Sequence, residues 1–548
     1  MAVPAAGAVI ASGFLEGDAA GAREKSAANS DDRGARVYNI RSYGAKGDMT
    51  TLDTAAVQSA IDACANDGGG TVLVPAGTFT IGTVELKSNV TLHIAATGTL
   101  LGSGDGKDYH AVDAIPLHGD TTLEDGNWAL LFAVDAKNVT VEGPGTIDGQ
   151  GAQFHSAVRG TPPPSGLGGN KRPYHILAYR CENISVRNIS LIDCAYHSIR
   201  VIESQRIALD NIYIHNRVNS NNDGFHLISA EQVRLSNCTV KSGDDACAMF
   251  GSCRYITVTN SYFSTRWSVF RFGGGHAGDI AVSNCVLHEV YGCPIKFQGD
   301  PGSRFENISF SNLVLDDVTG PISISIGGKL KPPDDQTPVV VRNISFSDIR
   351  GVVTTDPPRQ LSEGTITVGT RPGEAHSAIV LNNVNDSVLE NISFDNVHLV
   401  FGGGGTAEEG ANRAVPEVFG EYFRLGPIPA YALYARNVRG VTLQNVRFEV
   451  STPELRPAVI FDHVEDAAIS GFSVQGNPQA ESVMRFTGTR QTLITAARVL
   501  TPSPTFLQME GEGNEGIILD GGDLTKAASP VAFKGGASEA AVKLRNVT

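Results

Sequence analysis

The sequence has little charge, no run of basic residues and no long hydrophobic segment, and each absence excludes a class of protein. Only 18% of the 548 residues are charged, the net charge is −15 and the sequence pI is about 5.3. Without a basic patch, neither a nucleic acid nor an anionic membrane is an expected partner. Because no segment is long and apolar enough to cross a bilayer as a helix, we expect no membrane insertion.

The spacing typical of metal sites and of disulfide frameworks is also missing. The eight cysteines are scattered, and the closest pair is Cys247 and Cys253. This spacing matches no metal motif, so we predict neither a metal nor a cofactor. Cys238 and Cys285 occur in matching Ser-Asn-Cys contexts, which indicates stacked interior positions.

The first 36 residues differ in composition from the rest of the chain. Residues 1–14 are small and apolar, and the chain is then polar up to Val37. This pattern is typical of the second half of a secretory signal, and a disordered tail is the alternative. We therefore predict export to the periplasm or the extracellular space. Most of the Asn-x-Ser/Thr triplets fall inside predicted strands, where a glycan could not fit, which favours a bacterial source.

What the sequence does contain is an internal repeat of about ten residues. Copies such as ENISVRNISL, EQVRLSNCTV and ENISFSNLVL recur at spacings of 23 to 28 residues between positions 182 and 306. Each copy alternates apolar and polar residues, which predicts a short half-buried strand. The seventh position is almost always asparagine, which tolerates a left-handed turn and can bond through its amide to the next copy.

A unit of one or two strands cannot bury its own inner face, but stacked units can. We therefore predict an all-β fold, a parallel β-helix that forms a single domain over residues 37–548. A helical pattern at 51–69, capped by Thr54, would close the first turn. The segment at about 401–436 interrupts the repeat, and we interpret it as a cleft wall, a lid or a loose surface loop. Residues from about 476 to 548 are predicted to form C-terminal capping coils.

Charged residues follow the same strand in four consecutive turns. Because adjacent rungs lie about 4.8 Å apart, such side chains stack on one face. Carboxylates this close can divide their roles, one activating water while another keeps its proton and donates it to a leaving group. A calcium site or a turn is the alternative for Gly-Asp-Asp, and a bend after Gly243 is needed to bring both of its acids to the surface. The charged residues are Asp223, the pair Asp244 and Asp245, Arg266 with Arg271, and Lys296.

Residues 38–300 resemble glycoside hydrolase family 28, the polygalacturonase family of right-handed parallel β-helices. The segments YNIRSYGAKGD and GPGTIDGQG are similar to the N-terminal region of that family. NNDGFHL matches its Asn-Thr-Asp-Gly motif with Asn222 in place of threonine, and SGDDACAM matches its Asp-Asp motif.

The resemblance implies an inverting hydrolase of a pectic or rhamnose-containing polysaccharide or oligosaccharide. Asp244 would be the general acid, and Asp223 and Asp245 would hold the attacking water. Such an enzyme needs an acid–base separation of about 6.5–9.5 Å. The long loops in the later repeats favour action at a chain end.

Two positions depart from the family pattern. Arg266 stands where the histidine of the Gly-His-Gly motif is expected, and Pro294 replaces the arginine of Arg-Ile-Lys, leaving Lys296. In polygalacturonases this arginine and lysine hold a substrate carboxylate, so either another arginine compensates or the substrate is neutral. The residues that we predict to bind substrate, each with a structural role as its alternative, are Asn222, Arg266, Trp267, Arg271, Tyr291, Lys296, His197 and His226.

Two other functions fit the same solenoid. A polysaccharide lyase would use a basic residue near these carboxylates for proton abstraction. A non-catalytic glycan-binding β-helix would use neither acid nor base.

Overall fold

The computed structural model of the chain describes residues 34–113, 115, 127–156, 161–169, 171–327, 337–358, 360–364, 371, 373–384, 387–414 and 422–547. Apart from residues 34–36, the predicted signal remnant lies outside these described residues. Within them, no helix has the length and apolar character needed to span a membrane.

The backbone winds as a right-handed parallel β-helix, as predicted. Each turn adds strands to a smaller sheet of 15 strands and to a larger sheet of 26 strands. The smaller sheet contains Val84–Glu85, Ala129–Val134, Tyr174–Tyr179, Ile199–Ile202, Phe225–Ile228, Cys247–Phe250, Ser268–Gly273, Cys293–Gln298, Ile322–Ile326, Ile379–Asn383, Leu433–Arg436, Val459–Asp462, Met484–Thr487, Ser503–Glu510 and Ala527–Lys534.

The larger sheet carries the ten-residue copies found in the sequence. Its strands are Val37–Asn39, Asp48–Leu52, Gly70–Val74, Gly77–Ile81, Val90–Ile94, Gly98–Gly102, Lys137–Glu142, Thr146–Asp148, Glu182–Ile192, Gln205–Asn216, Glu231–Ser236, Thr239–Ser242, Arg254–Thr259, Tyr262–Thr265, His276–Val290, Arg304–Val318, Val340–Val353, Val388–Asp395, His398–Phe401, Arg439–Gln444, Arg447–Val450, Glu465–Ser470, Ser473–Val474, Arg490–Val499, Glu515–Asp523 and Val542–Arg545.

The predicted capping helix is present and covers the first turn. It spans Thr54–Asn66 and buries Val57, Ile61 and Cys64. The cap prediction is wrong, because Asp53 occupies the N-cap position and Thr54 is the first helical residue. The Thr54 hydroxyl instead accepts a hydrogen bond from the N–H of Gly82, which joins the helix to the solenoid.

The other helical elements within the described residues are short. The 3₁₀ helices are Ile40–Tyr43, Gly106–Asp108, Gly151–Phe154 and Glu539–Ala541, and the α-helix is Ala407–Ala411. One further 3₁₀ segment spans Tyr422–Leu425.

Side-chain ladders hold successive turns in register. The seventh-position asparagines have left-handed backbone, as predicted. Asn211 donates to Asn188 at 2.9 Å, and Asn312 donates to Asn284 at 2.8 Å, so the predicted amide ladder is confirmed at these turns. Inside the solenoid, phenylalanine rings stack on one another, and all eight cysteines are buried thiols.

The described part of the segment between Val353 and Ile379 reaches back along the solenoid. The Glu363 carboxylate lies 2.7 Å from the Lys241 ammonium, and Ser362 donates to Glu289 at 2.8 Å. These partners belong to earlier turns, beside the loops that carry the aspartates. This segment therefore forms a wall near the predicted site.

The described part of the predicted insertion at 401–436 packs against later turns of the solenoid. Its Arg413 pairs with Glu481 and Glu510, and both partners belong to C-terminal turns. The predicted C-terminal coils, 476–548, continue the solenoid with six more strands.

Candidate active site

The aspartates lie where loops enter the smaller sheet. Parallel pairing places Phe225 beside Ile199 and Cys247 beside Phe225. The residues two positions before these paired strand residues are His197, Asp223 and Asp245. They therefore occupy matching positions in three adjacent turns. The predicted stacking of aspartates from neighbouring turns is present, with a rise of about 4.8 Å per turn.

A bend separates the two adjacent aspartates. The N–H groups of Gly243 and Asp244 donate to the carbonyl of Asn222 at 3.1 and 3.2 Å, and the Asp245 N–H donates to Asp244 Oδ1 at 2.9 Å. The bend predicted after Gly243 is thus confirmed. It does not bring both acids to the surface, because Asp244 is half-buried while Asp245 is only 2% exposed.

Asp245 is held by an ion pair and by the backbone. Arg271 Nη1 lies 2.9 Å from its Oδ2, and the N–H of Ser268 donates to its Oδ1 at 3.2 Å. The guanidinium of Arg271 also lies over the ring of Phe250, 5.1 Å from its centroid. Arg271, which we predicted to bind substrate, therefore orients an aspartate in this structure.

Asp223 lies against two stacked histidines. His226 Nδ1 is 2.8 Å from Asp223 Oδ2, and His197 Nε2 is 3.6 Å from the same oxygen. Burial and the nearby arginines keep the pKa of His226 well below its usual value, so the ring is neutral and its Nδ1–H donates to the carboxylate. Burial, and then the charges of Asp244 and Asp245, raise the pKa of Asp223 well above its usual value.

Asp244 has the environment of a proton donor. Burial, and then the charge of Asp245, raise its pKa to about 7, against the opposing effect of Arg271 and Lys296. Its backbone carbonyl accepts a hydrogen bond from the Thr265 hydroxyl, which fixes the loop. The Nδ1–H of the neighbouring histidine favours the ionised form of Asp223 and so opposes the rise of its pKa, and these two nearby acids titrate as a pair.

The two histidines and Asp223 also form a cluster of possible metal ligands, with donor atoms within 4.8 Å of one another. The rings of His197 and His226 are nearly parallel, at 6°, with centroids 4.4 Å apart. A metal ion binds in the plane of each imidazole, and one point cannot lie in two stacked planes. The arrangement therefore favours the hydrogen bond to Asp223 over metal coordination.

Arg266 does not reach into open space. Both of its Nη atoms bind the carboxylate of Glu374, at 3.2 and 3.1 Å, and Nη1 also donates to the Tyr291 carbonyl. Glu374 is fully buried and lies 108 residues further along the chain. The expectation that Arg266 compensates directly for the missing family arginine is therefore not supported.

Several other predicted substrate-binding residues lie behind the surface. The Tyr291 hydroxyl donates to Asp317 at 2.5 Å, and its buried ring is not available for sugar stacking. Asn222 is fully buried, and its amide bonds to backbone groups of Val218, Asn219 and Cys194, among others, which shapes the loop. The structure thus supports a positioning role for these side chains.

Six of the eight predicted substrate-binding residues are less than 5% exposed, namely His197, Asn222, His226, Arg266, Tyr291 and Lys296. Trp267 and Arg271 are only partly buried. Substrate contact therefore remains a prediction for Trp267 and Arg271, whereas the other six residues lie beneath the surface of the site.

Sequence reasoning missed several residues around the aspartates. Arg200 is fully buried, pairs in register with His226, and donates to the Tyr174 hydroxyl at 2.6 Å. Counting one turn back from His226 could have found it. Glu374 and Arg371 come from an insertion, and no repeat position predicts where an insertion folds.

Sequence comparison matches the chain to a known protein family. The model of the family "Glycosyl hydrolases family 28" matches residues 64–385. An exo-poly-alpha-D-galacturonosidase of Dickeya chrysanthemi is 25% identical over an alignment of 435 residues, and the match covers 66% of this chain and 71% of that protein. An exopolygalacturonase of Arabidopsis thaliana is 28% identical over an alignment of 366 residues, and the match covers 63% of this chain and 79% of that protein.

Solved structures share the fold. A family 28 exopolygalacturonase of Yersinia enterocolitica superposes with a TM-score of 0.55 at 18% identity, covering 79% of this chain and 78% of that one. A tailspike protein of E. coli bacteriophage HK620 gives 0.54 at 11% identity, covering 92% of this chain and 80% of that one. Likeness at these identities shows the β-helix alone. The family model covers more than half of the chain, and on that basis the chain belongs to glycosyl hydrolases family 28.

Proposed function

We propose that this protein is an inverting, exo-acting hydrolase of a pectic polysaccharide. The observation that carries the proposal is the column in which Asp223 and Asp245 occupy matching positions of adjacent turns, with Asp244 beside them. The three carboxyl groups have different surroundings, which is what a division between acid and base requires.

In the proposed reaction, Asp244 donates its proton to the glycosidic oxygen as the bond to the anomeric carbon breaks. A water molecule held by Asp223 and Asp245 attacks that carbon from the opposite face and gives up a proton to the carboxylates. The product sugar then has inverted configuration. The buried histidine behind Asp223 keeps this carboxylate oriented toward the water.

Exo-action has two supports. The segment before Ile379 places Glu374 against Arg266, one turn beyond Asp245, and we infer that this segment closes one end of the substrate cleft. The relatives from Dickeya chrysanthemi and Arabidopsis thaliana are also exo-acting by name. Because a polysaccharide does not cross a bilayer unaided, the proposal includes export, in agreement with the composition of residues 1–14.

The lyase alternative gains no support from this geometry. A lyase needs a basic side chain that is able to take a proton from the sugar. Arg266 is paired with Glu374 and Arg271 with Asp245, so both guanidinium groups are engaged by carboxylates.

The test is a digestion of polygalacturonate, rhamnogalacturonan and an aryl α-L-rhamnoside. We expect reducing ends to rise on a pectic substrate, monomer to be released first, and proton NMR to show the inverted anomer. Formation of an ultraviolet-absorbing unsaturated sugar identifies a lyase, and binding without any new reducing end identifies a glycan-binding solenoid. Either result contradicts the proposal.

The pH dependence follows from the two raised pKa values. We expect kcat/KM to fall as the pH rises through about 7, because Asp244 then loses the proton that it must donate. At lower pH, kcat/KM falls as the pair of Asp223 and Asp244 takes up a second proton, because no carboxylate of the pair then remains to activate water. Initial rates at low substrate concentration and constant ionic strength measure this bell-shaped profile. An alkaline limb that begins far above pH 7 contradicts the assignment of Asp244.

A further inference from the structure

A second pocket lies on the smaller sheet, in turns beyond the residues 64–385 that match the family model. It is lined by Tyr434, Ile460 and Arg485, which pair in register in three successive strands of that sheet. The pocket has a volume of about 310 Å³, at the lower end of the range for small-molecule sites. It therefore has room for one or two sugar rings.

The pocket lies on the same face of the sheet as the aspartate cleft. Parallel pairing connects Arg271, Lys296, Ser323, Val380 and Tyr434 in one continuous column of side chains. Four rungs of about 4.8 Å each therefore separate the turn of Arg271 from the first turn of the pocket. The pocket and the cleft are too far apart to hold the same sugar ring.

A further part of the 401–436 insertion covers the sheet between the two places. Leu425 and Ile428 form an apolar cluster with Val380 and Tyr434, which belong to the column. Because this cluster closes over the column, the pocket is not a continuation of the cleft. A ligand in the pocket therefore occupies a site of its own.

The same insertion supplies one wall of the pocket, and a buried arginine fixes that wall in place. Arg485 is 2% exposed, and it donates to the carbonyls of Gly410 and Asn412 at 2.6 and 3.1 Å. Its guanidinium also lies 2.6 Å from the carboxylate of Glu481. The wall is thus held in one conformation before any ligand arrives, which lowers the entropic cost of binding.

The outer part of the pocket carries hydrogen-bonding groups of both kinds. Asp462, Thr487 and Glu510 pair in register, and they form a polar column on the same face. Arg413 lies beside them and donates to Glu510 at 2.9 Å and to Glu481 at 3.2 Å. The carboxylates accept hydrogen bonds, the guanidinium donates them and the hydroxyl does both. Neighbouring hydroxyls of a sugar, which also donate and accept, match this combination.

We propose that this pocket binds a neutral saccharide. Both arginines that line it are already held by carboxylates, so an anionic sugar has to compete with Glu481 and Glu510. A neutral sugar does not compete, because its hydroxyls can donate to the carboxylates and accept from the guanidinium groups. Free sugars and the neutral branches of a polysaccharide share this chemistry. The inference goes beyond the proposed hydrolase function, since the binding does not depend on the aspartates.

The experiment is a calorimetric titration with arabinose, galactose and the trisaccharide of each. We expect at least one of these neutral probes to bind one-to-one with a Kd of about 1 mM or tighter. In the Asp244→Asn variant, which should bind trigalacturonate without cleaving it, saturation with trigalacturonate should leave this Kd unchanged. Tighter binding of the trisaccharide identifies a polymer branch as the ligand, and equal affinity identifies a free sugar. Both results support the pocket.

Thr487→Arg should weaken the binding at least about tenfold, because the new guanidinium fills the pocket and occupies Asp462 and Glu510. Asp462→Asn is a milder change, which removes one charged acceptor and should weaken the binding about three- to tenfold. The matched control is Thr257→Arg, which adds the same charge at an exposed position of the larger sheet and should leave the Kd unchanged. Thermal unfolding of each variant shows whether it is folded.

Three results overturn the inference. In the first, none of the neutral probes binds. In the second, folded Thr487→Arg and Asp462→Asn bind the probes as tightly as the unaltered protein does. In the third, trigalacturonate displaces the neutral sugar, which places that sugar in the aspartate cleft. Failure of the proposed hydrolase function is a separate result, an absence of new reducing ends from every pectic substrate.

Discussion

The Asp244→Asn variant is expected to lose about 10²- to 10⁴-fold in kcat on a pectic polysaccharide, with KM little changed. Asparagine has nearly the shape of aspartate but cannot give a proton to the leaving oxygen. Stability should stay the same or rise, because the carboxyl group is desolvated and repelled by Asp245, as its raised pKa of about 7 shows. Steady-state kinetics and thermal unfolding of the same preparation measure both effects.

The control for this variant is Asp135→Asn. Asp135 is an exposed carboxylate paired with Arg180, and its loss should leave kcat within about twofold, since exposed ion pairs contribute little. Asp244→Asn that keeps kcat within tenfold of the unaltered protein contradicts its assignment as the acid. A variant that is inactive and also strongly destabilised points to a structural role instead.

The solenoid repeat made a large part of this site predictable. Because one turn takes 23 to 28 residues, an Asp that follows one strand and an Asp pair that follows the next had to meet on one face. The same counting predicts the asparagine ladder. Position along a turn thus gives proximity within the solenoid without any knowledge of its three-dimensional structure.

Burial and the partners of the charged residues were not predictable in this way. Counting positions placed Arg266 beside the aspartates but not its partner, because Glu374 belongs to an insertion whose path depends on tertiary contacts. Similarly, the two acids after Gly243 have different exposure, and the more buried one, Asp245, forms an ion pair with Arg271. The repeat predicts the strands of the solenoid, whereas the conformation of the loops determines which side chains are accessible to substrate.

The second large effect concerns the water-activating carboxylates. We expect Asp223→Asn and Asp245→Asn each to lower kcat by about 10²- to 10⁴-fold, because an asparagine amide cannot accept a proton from the attacking water. Asp223→Asn is the cleaner test, since the asparagine oxygen can still accept the Nδ1–H of His226. Asp245→Asn removes the carboxylate that forms an ion pair with the partly buried Arg271, so it should also lower stability.

A change of leaving group separates the acid from the bases. An aryl glycoside with an acidic phenol as leaving group needs little protonation, so Asp244→Asn should recover much of its rate on that substrate. Asp223→Asn and Asp245→Asn should remain equally impaired on both substrates, because water must still be activated. The double variant Asp245→Asn/Arg271→Gln removes both charges of the ion pair, and it should regain stability without regaining activity. If the aryl glycoside rescues Asp223→Asn as well as Asp244→Asn, then the division of roles between these two carboxyl groups is wrong, even if both are needed for catalysis.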